Sequence, residues 1–271
     1  MLMAILFFSI FAPAQVRMPQ PSGTQTLKQD FGLGTIELTY SRPGAKGRKI
    51  FGELVPFNKI WRVGANAATS IRFTDDVEMG GKKLDTGTYV MYAIPGIDVW
   101  EIIINKGIKN WGTEGYKETE DVCRFKTEPI KMKQKLETFT MQFANVKPES
   151  CELHIMWEKT SVVIPITTNV KEKIKAQIDA AMLTDKKPYW QAAQYYNEYE
   201  NNLTKALDNC NKAFEANDKA YWILLYKAKI QQAMGDNAAA KQTSKKSLEL
   251  AREAKNADYI KMNEDLQKRL K

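Results

Sequence analysis

Residues 152–183 read ELHIMWEKTSVVIPITTNVKEKIKAQIDAAML, and within them the chain changes period. Glu152–Trp157 alternates apolar and polar side chains, and Ser161–Ile166 is rich in β-branched residues, so both read as strands. Glu158-Lys159-Thr160 between them reads as a short turn. Beyond Thr168 the period becomes helical, and residues 171–183 read as a helix. A β domain therefore ends, and a helical domain begins, near Thr168.

Upstream of that point strand signals dominate. Thr35–Tyr40, Ser70–Phe73 and Thr138–Phe143 alternate, as half-buried strands do. Thr88–Ile94 and Trp100–Ile104 are richer in β-branched and aromatic residues, consistent with inner strands. Met79-Gly80-Gly81-Lys82 and Asp85-Thr86-Gly87 supply glycine turns of the hairpin kind. Short strands without intervening helices predict an antiparallel sandwich or barrel over residues 35–168, with 15–34 as a linker and entry segment.

Downstream, residues 169–271 repeat themselves at a spacing of 34. Trp190 aligns with Leu224, Gln194 with Ala228, Ala206 with Ala240, Cys210 with Ser244, and Ala213 with Ser247. Asn201-Asn202 and Gly235-Asp236 fall together, at the turn between paired helices. The length and the small residues at the crossing positions resemble tetratricopeptide repeats, two copies flanked by helices at 171–183 and roughly 255–270. Such repeats imply docking of a protein partner.

Met1–Phe11 is almost wholly apolar, about the length of a signal h-region and too short to span a bilayer. Ala12-Pro13-Ala14 supplies a small-x-small cleavage pattern, although no Lys or Arg precedes the apolar run. The expectation is a signal peptide over 1–14, a mature chain starting at Gln15, and a periplasmic or secreted protein. No later run is long enough for a transmembrane segment. An oxidising compartment would permit a Cys123–Cys151 disulfide, while buried free cysteine is the common alternative. The net charge of +8 is spread along the chain, +5 in residues 171–271 and +3 in the remainder. Nucleic-acid binders concentrate their excess, so nucleic acid is not an expected partner.

Chemistry-bearing motifs are sparse. There is no G-x-S-x-G elbow, H-E-x-x-H pair or phosphate-binding P-loop, and Gly32-x-Gly34 lacks the rest of a dinucleotide fingerprint. The single histidine, His154, sits in an alternating run and reads as a half-exposed strand residue. Glu114, Glu118, Glu120 and Asp121 share one loop and offer carboxylates for a hydrolase, although an acidic loop is more often just solvated, and Asp75-Asp76-x-Glu78 is too short for a calcium loop of the EF-hand type. Neither a metal site nor a cofactor is implied.

Residues 42–66, RPGAKGRKIFGELVPFNKIWRVGAN, are unlike the rest, with six basic side chains, one acid, four glycines and two prolines. Tyr40–Pro43, Lys46–Gly52, Leu54–Pro56 and Trp61–Asn66 resemble the signature of an exported bacterial family catalogued as domain of unknown function 2911. The resemblance continues through Gly87-Thr-Tyr89, Ile94-Pro-Gly96, Trp111-Gly112, Tyr116, Trp157-Glu158 and Pro165-Ile166, covering about residues 20–168. It implies an all-β secreted or periplasmic domain, sometimes followed by helical repeats, and no known activity.

The residues themselves suggest a site. Arg42, Arg48, Lys49 and Arg62 are donors without acceptor capacity, and Trp61 and Asn66 add a stacking face and an amide. A second long aperiodic segment, residues 105–121, holds Trp111 and Tyr116 among glycines. Brought together, the two would make an aromatic pocket with guanidinium donors, suited to a carboxylated or phosphorylated small molecule, an acidic sugar or a peptide terminus. The reading is a non-catalytic envelope binding protein, with a carboxylate-dependent envelope hydrolase or a ligand-free scaffold as alternatives. Arg62 paired to a sheet carboxylate and tryptophans buried as core would argue for the scaffold.

Overall fold

The computed structural model describes residues 18–270 and divides into two units, meeting at Asn169 and Val170. The proposed signal peptide lies outside the described residues.

The first unit is a two-sheet antiparallel sandwich. Strands β1 (Thr24–Phe31), β2 (Gly34–Ser41), β3 (Thr69–Phe73), β6 (Gly87–Ile94), β7 (Trp100–Asn105) and β8 (Asp121–Thr127) form one sheet, in the spatial order β1-β2-β3-β6-β7-β8. Strands β4 (Val77–Met79), β5 (Lys82–Leu84), β9 (Ile130–Ala144) and β10 (Ser150–Thr167) form the other, in the order β5-β4-β10-β9. The alternation in β2 sends Ile36, Leu38 and Tyr40 inward, where they meet Ile71, Ile102, Ile104, Leu153, Ile155 and Ile164 in one apolar core.

Strands β6 and β7 are buried on both faces. Val90, Tyr92 and Ile103 point away from the core and are covered by Ile60, Ala68 and Tyr116 from the two long loops. That cover is why Val90, Tyr92 and Ile103 are apolar on the outer face, where β7 keeps Glu101 and Asn105 on either side of Ile103.

Two readings need correction. Residues 24–31 are not a linker: they pair with β2 along their whole length. Only Phe31 of this edge strand is buried, so it carries no apolar signature. Glu158–Thr160 is not a turn either. β10 runs through it, Glu158 taking a left-handed φ of 53° while β9 bulges opposite, with register shifts on either side of Glu158. Cys123 lies in β8 and Cys151 in β10, and all three cysteines are free thiols.

The second unit contains α1 (Lys171–Met182), α2 (Tyr189–Glu198), α3 (Leu203–Ala216), α4 (Tyr221–Ala233), α5 (Asn237–Glu253) and α6 (Ala257–Arg269). Ala206, Cys210, Ala240, Ser244 and Ser247 are buried where helices cross, as the repeat demands. The two turns match in detail. Asn201 and Gly235 take left-handed φ values of 50° and 86°, and the following Asn202 and Asp236 cap their helices by accepting from the Lys205 and Ala239 amides.

Candidate functional site

Residues 42–66 stitch the two sheets together. After β2 the chain runs beside β9, where the Ala45 amide donates to the Glu137 carbonyl at 2.7 Å and the Phe139 amide to the Pro43 carbonyl at 2.9 Å. It returns at Trp61, whose amide donates to the Ala93 carbonyl at 2.7 Å and whose carbonyl accepts from the Ala93 amide at 2.9 Å. The backbone then turns through left-handed conformations at Val63 (φ 53°) and Asn66 (φ 58°). For a β-branched residue this is strained, and the Thr69 hydroxyl holds it by donating to the Val63 carbonyl at 2.5 Å.

Behind this turn lies a cavity of about 400 Å³, lined among others by Arg48, Trp61, Arg62, Asn66, Trp111 and Trp157. Its floor is aromatic. Trp61 is only 8 % exposed, stacks on Trp157 with ring centres 6.3 Å apart, and meets Phe139, Trp100 and Phe51 edge-on. The expected free stacking face is therefore taken by the core. Trp111 is the opposite case, 63 % exposed at the rim.

The guanidinium groups are held by carbonyls. Arg48 donates from Nε to the Ala45 carbonyl at 3.0 Å and from Nη2 to the Gly44 carbonyl at 2.7 Å. Arg62 donates from Nη1 to the Asn66 carbonyl at 2.8 Å. Among the described residues neither has a carboxylate partner, and several of their N–H groups remain without an acceptor. No Asp or Glu lines the cavity. Carbonyl contacts orient a guanidinium without neutralising it, which leaves its charge for an incoming anion.

Three of the expected residues stand elsewhere. Arg42 turns to β9, donating to the Phe139 carbonyl at 3.2 Å and the Thr140 hydroxyl at 3.0 Å. Lys49 pairs with Glu53 at 3.3 Å in solvent. Tyr116 packs edge-on against Tyr92, donates to Asp121 Oδ2 at 2.9 Å and accepts from Arg124 Nη2 at 2.6 Å. Burial, helped by the Asp121 hydrogen bond, pushes its hydroxyl up to about 12. Asn66 does line the cavity, with its amide nitrogen engaged by the Ser22 carbonyl and the Ser41 hydroxyl. Trp157 was not anticipated there. Its signal was its position on the inward side of an alternating strand.

Three of the four carboxylates of the second loop are held in ion pairs. Asp121 and Glu118 both hold Arg124, at 2.7 and 3.2 Å, and Glu120 pairs with Lys117 at 3.3 Å. His154 meets Glu152 at 2.8 Å on β10. Among the described residues no group of three or more His, Cys, Asp or Glu side chains is placed to hold a metal ion.

The family described as "Protein of unknown function (DUF2911)" matches residues 22–166, more than half of the chain, and the chain belongs to that family. No curated protein matches it.

Proposed function

We propose that this DUF2911 protein is a non-catalytic binding protein of the cell envelope, whose β domain takes a small carboxylated or phosphorylated ligand between Arg48 and Arg62. The observation that carries the reading is that both guanidinium groups line one cavity and neither has a carboxylate partner among the described residues. Charge-assisted contacts to such donors are worth about 1.5–3 kcal/mol each. The apolar start of the sequence supports export, and the paired helices offer a surface for a protein partner.

The hydrolase alternative is disfavoured, because Glu118, Glu120 and Asp121 are held in ion pairs and no acidic side chain of the second loop lines the cavity. The decisive experiment is a mass-spectrometric search for small molecules retained by protein purified from its own host. A carboxylated or phosphorylated compound should accompany the native chain and be missing from the Arg48→Ala/Arg62→Ala variant. Equal retention by both proteins, or turnover of the compound, would overturn the reading.

A further inference from the structure

A second hollow, of about 770 Å³, adjoins the arginine cavity, and Asn66 and Trp111 line both. It opens on the outer face of the six-stranded sheet. Thr24, Thr39 and Ser70 line it because they alternate with residues that point into the core, such as Leu38 and Ile71. Thr39 stands opposite Ser70 in the register, so hydroxyl groups run across neighbouring strands. Asn110 closes the hollow from the second loop.

No charged side chain lines this second hollow, whereas two guanidinium groups line the first. The charge of the cleft is thus confined to one end, with an exposed indole at the junction. Hydroxyl and amide groups both donate and accept, which suits a rim of sugar hydroxyls, and an indole face covers the apolar C–H face of a ring. Thr39 already pairs with Thr26 at 2.9 Å and Thr24 with Ser41 at 3.2 Å, but each hydroxyl keeps further hydrogen-bonding capacity that an acyl chain would not use, and a nucleic-acid strand would find no cation for its next phosphate.

We infer that the ligand is an acid-terminated oligosaccharide, its carboxylate between Arg48 and Arg62 and its next, neutral sugar seated against Trp111 on the hydroxyl ledge of Thr39 and Ser70. The inference rests on reading the arginine cavity as an anion site.

The test is calorimetric titration of the full chain with three probes: glucuronic acid, a disaccharide of glucuronic acid linked to glucose, and cellobiose. The acidic disaccharide should bind roughly tenfold or more tighter than glucuronic acid. Ser70→Tyr, which fills the ledge, and Trp111→Ala, at an exposed position that tolerates truncation, should each collapse that difference. Arg62→Ala should weaken both acidic probes. Equal affinity for the two acidic probes, still dependent on Arg62, would overturn the ledge while leaving the anion site intact. Cellobiose binding as tightly as the acidic disaccharide, indifferent to Arg62→Ala, would overturn the anion site as well. Failure of both acidic probes to bind would overturn the oligosaccharide assignment, and the retained-ligand search would then decide the anion site separately.

Discussion

Gly112 lies against the guanidinium of Arg62 so closely that a Cβ at Gly112 would stand 2.6 Å from Nη1. With a left-handed φ of 63°, this glycine lets the second loop rest on the first. Gly112→Ala should therefore cost about 1–2 kcal/mol from the backbone alone and displace Arg62 as well. Thermal melting should fall by several degrees and anion affinity should fall with it. Unchanged affinity would mean that Arg62 does not need this support.

Trp61 separates packing from binding. Truncating it removes the centre of the aromatic core, so Trp61→Ala should lose about 3–5 kcal/mol of stability. Arg48→Ala removes carbonyl contacts and Arg62→Ala a carbonyl contact together with the packing against Gly112, and each should cost about 1 kcal/mol of stability while weakening an anionic ligand roughly tenfold or more. Denaturant unfolding beside ligand titration distinguishes the two patterns. Equal stability losses in all three variants would assign the whole segment to packing.

Tyr116 gives the second loop a dependence on alkaline pH. Its folded value, about 12, lies above the ordinary 10, so its contribution to stability is complete below pH 10 and drains away as pH rises through about 12. Between those limits the native chain should lose stability more steeply than Tyr116→Phe. Parallel slopes would show that the hydroxyl does not hold the loop.

The thiols should be slow to react. Burial pushes Cys123 and Cys151 up to about 11 and Cys210 up to about 12, so little thiolate exists at neutral pH. A thiol–disulfide exchange reagent should modify them in the native chain far more slowly than after denaturation. Rapid modification of Cys123, the least buried, would contradict its placement in β8.

Residues 18–169 should fold without residues 170–271, because the sandwich core closes within the first unit. Circular dichroism of the isolated fragment should show strand and little helix. The helical fragment, with only two repeats, should melt earlier.

Much of the fold was legible because burial and period coincide. In β2, one face is apolar core and the other polar and half-buried, so Ile36, Leu38 and Tyr40 announce the strand. Strand β1 was invisible because its side chains are nearly all partly exposed, and Glu158 misled because a bulge and a turn use the same polar residues. At the site, the composition of residues 42–66 marked the right segment. It could not tell which cation each tertiary contact would claim. Arg42 goes to β9 and Tyr116 goes to Asp121 through partners about 97 and 5 residues away respectively, and neither spacing forms a local pattern.

The bulges of β9 have a bearing on how the protein behaves when crowded with its own copies. This strand is 15 residues long and lies at the edge of its sheet, the geometry on which a neighbouring molecule could add a strand. Its pairing with β10 slips twice, Lys131, Lys133 and Lys135 are exposed along it, and Pro43–Ala45 occupies part of its flank. An irregular, cationic and partly occupied edge is a poor template for self-association, so the long strand that braces the aromatic floor does so without inviting aggregation.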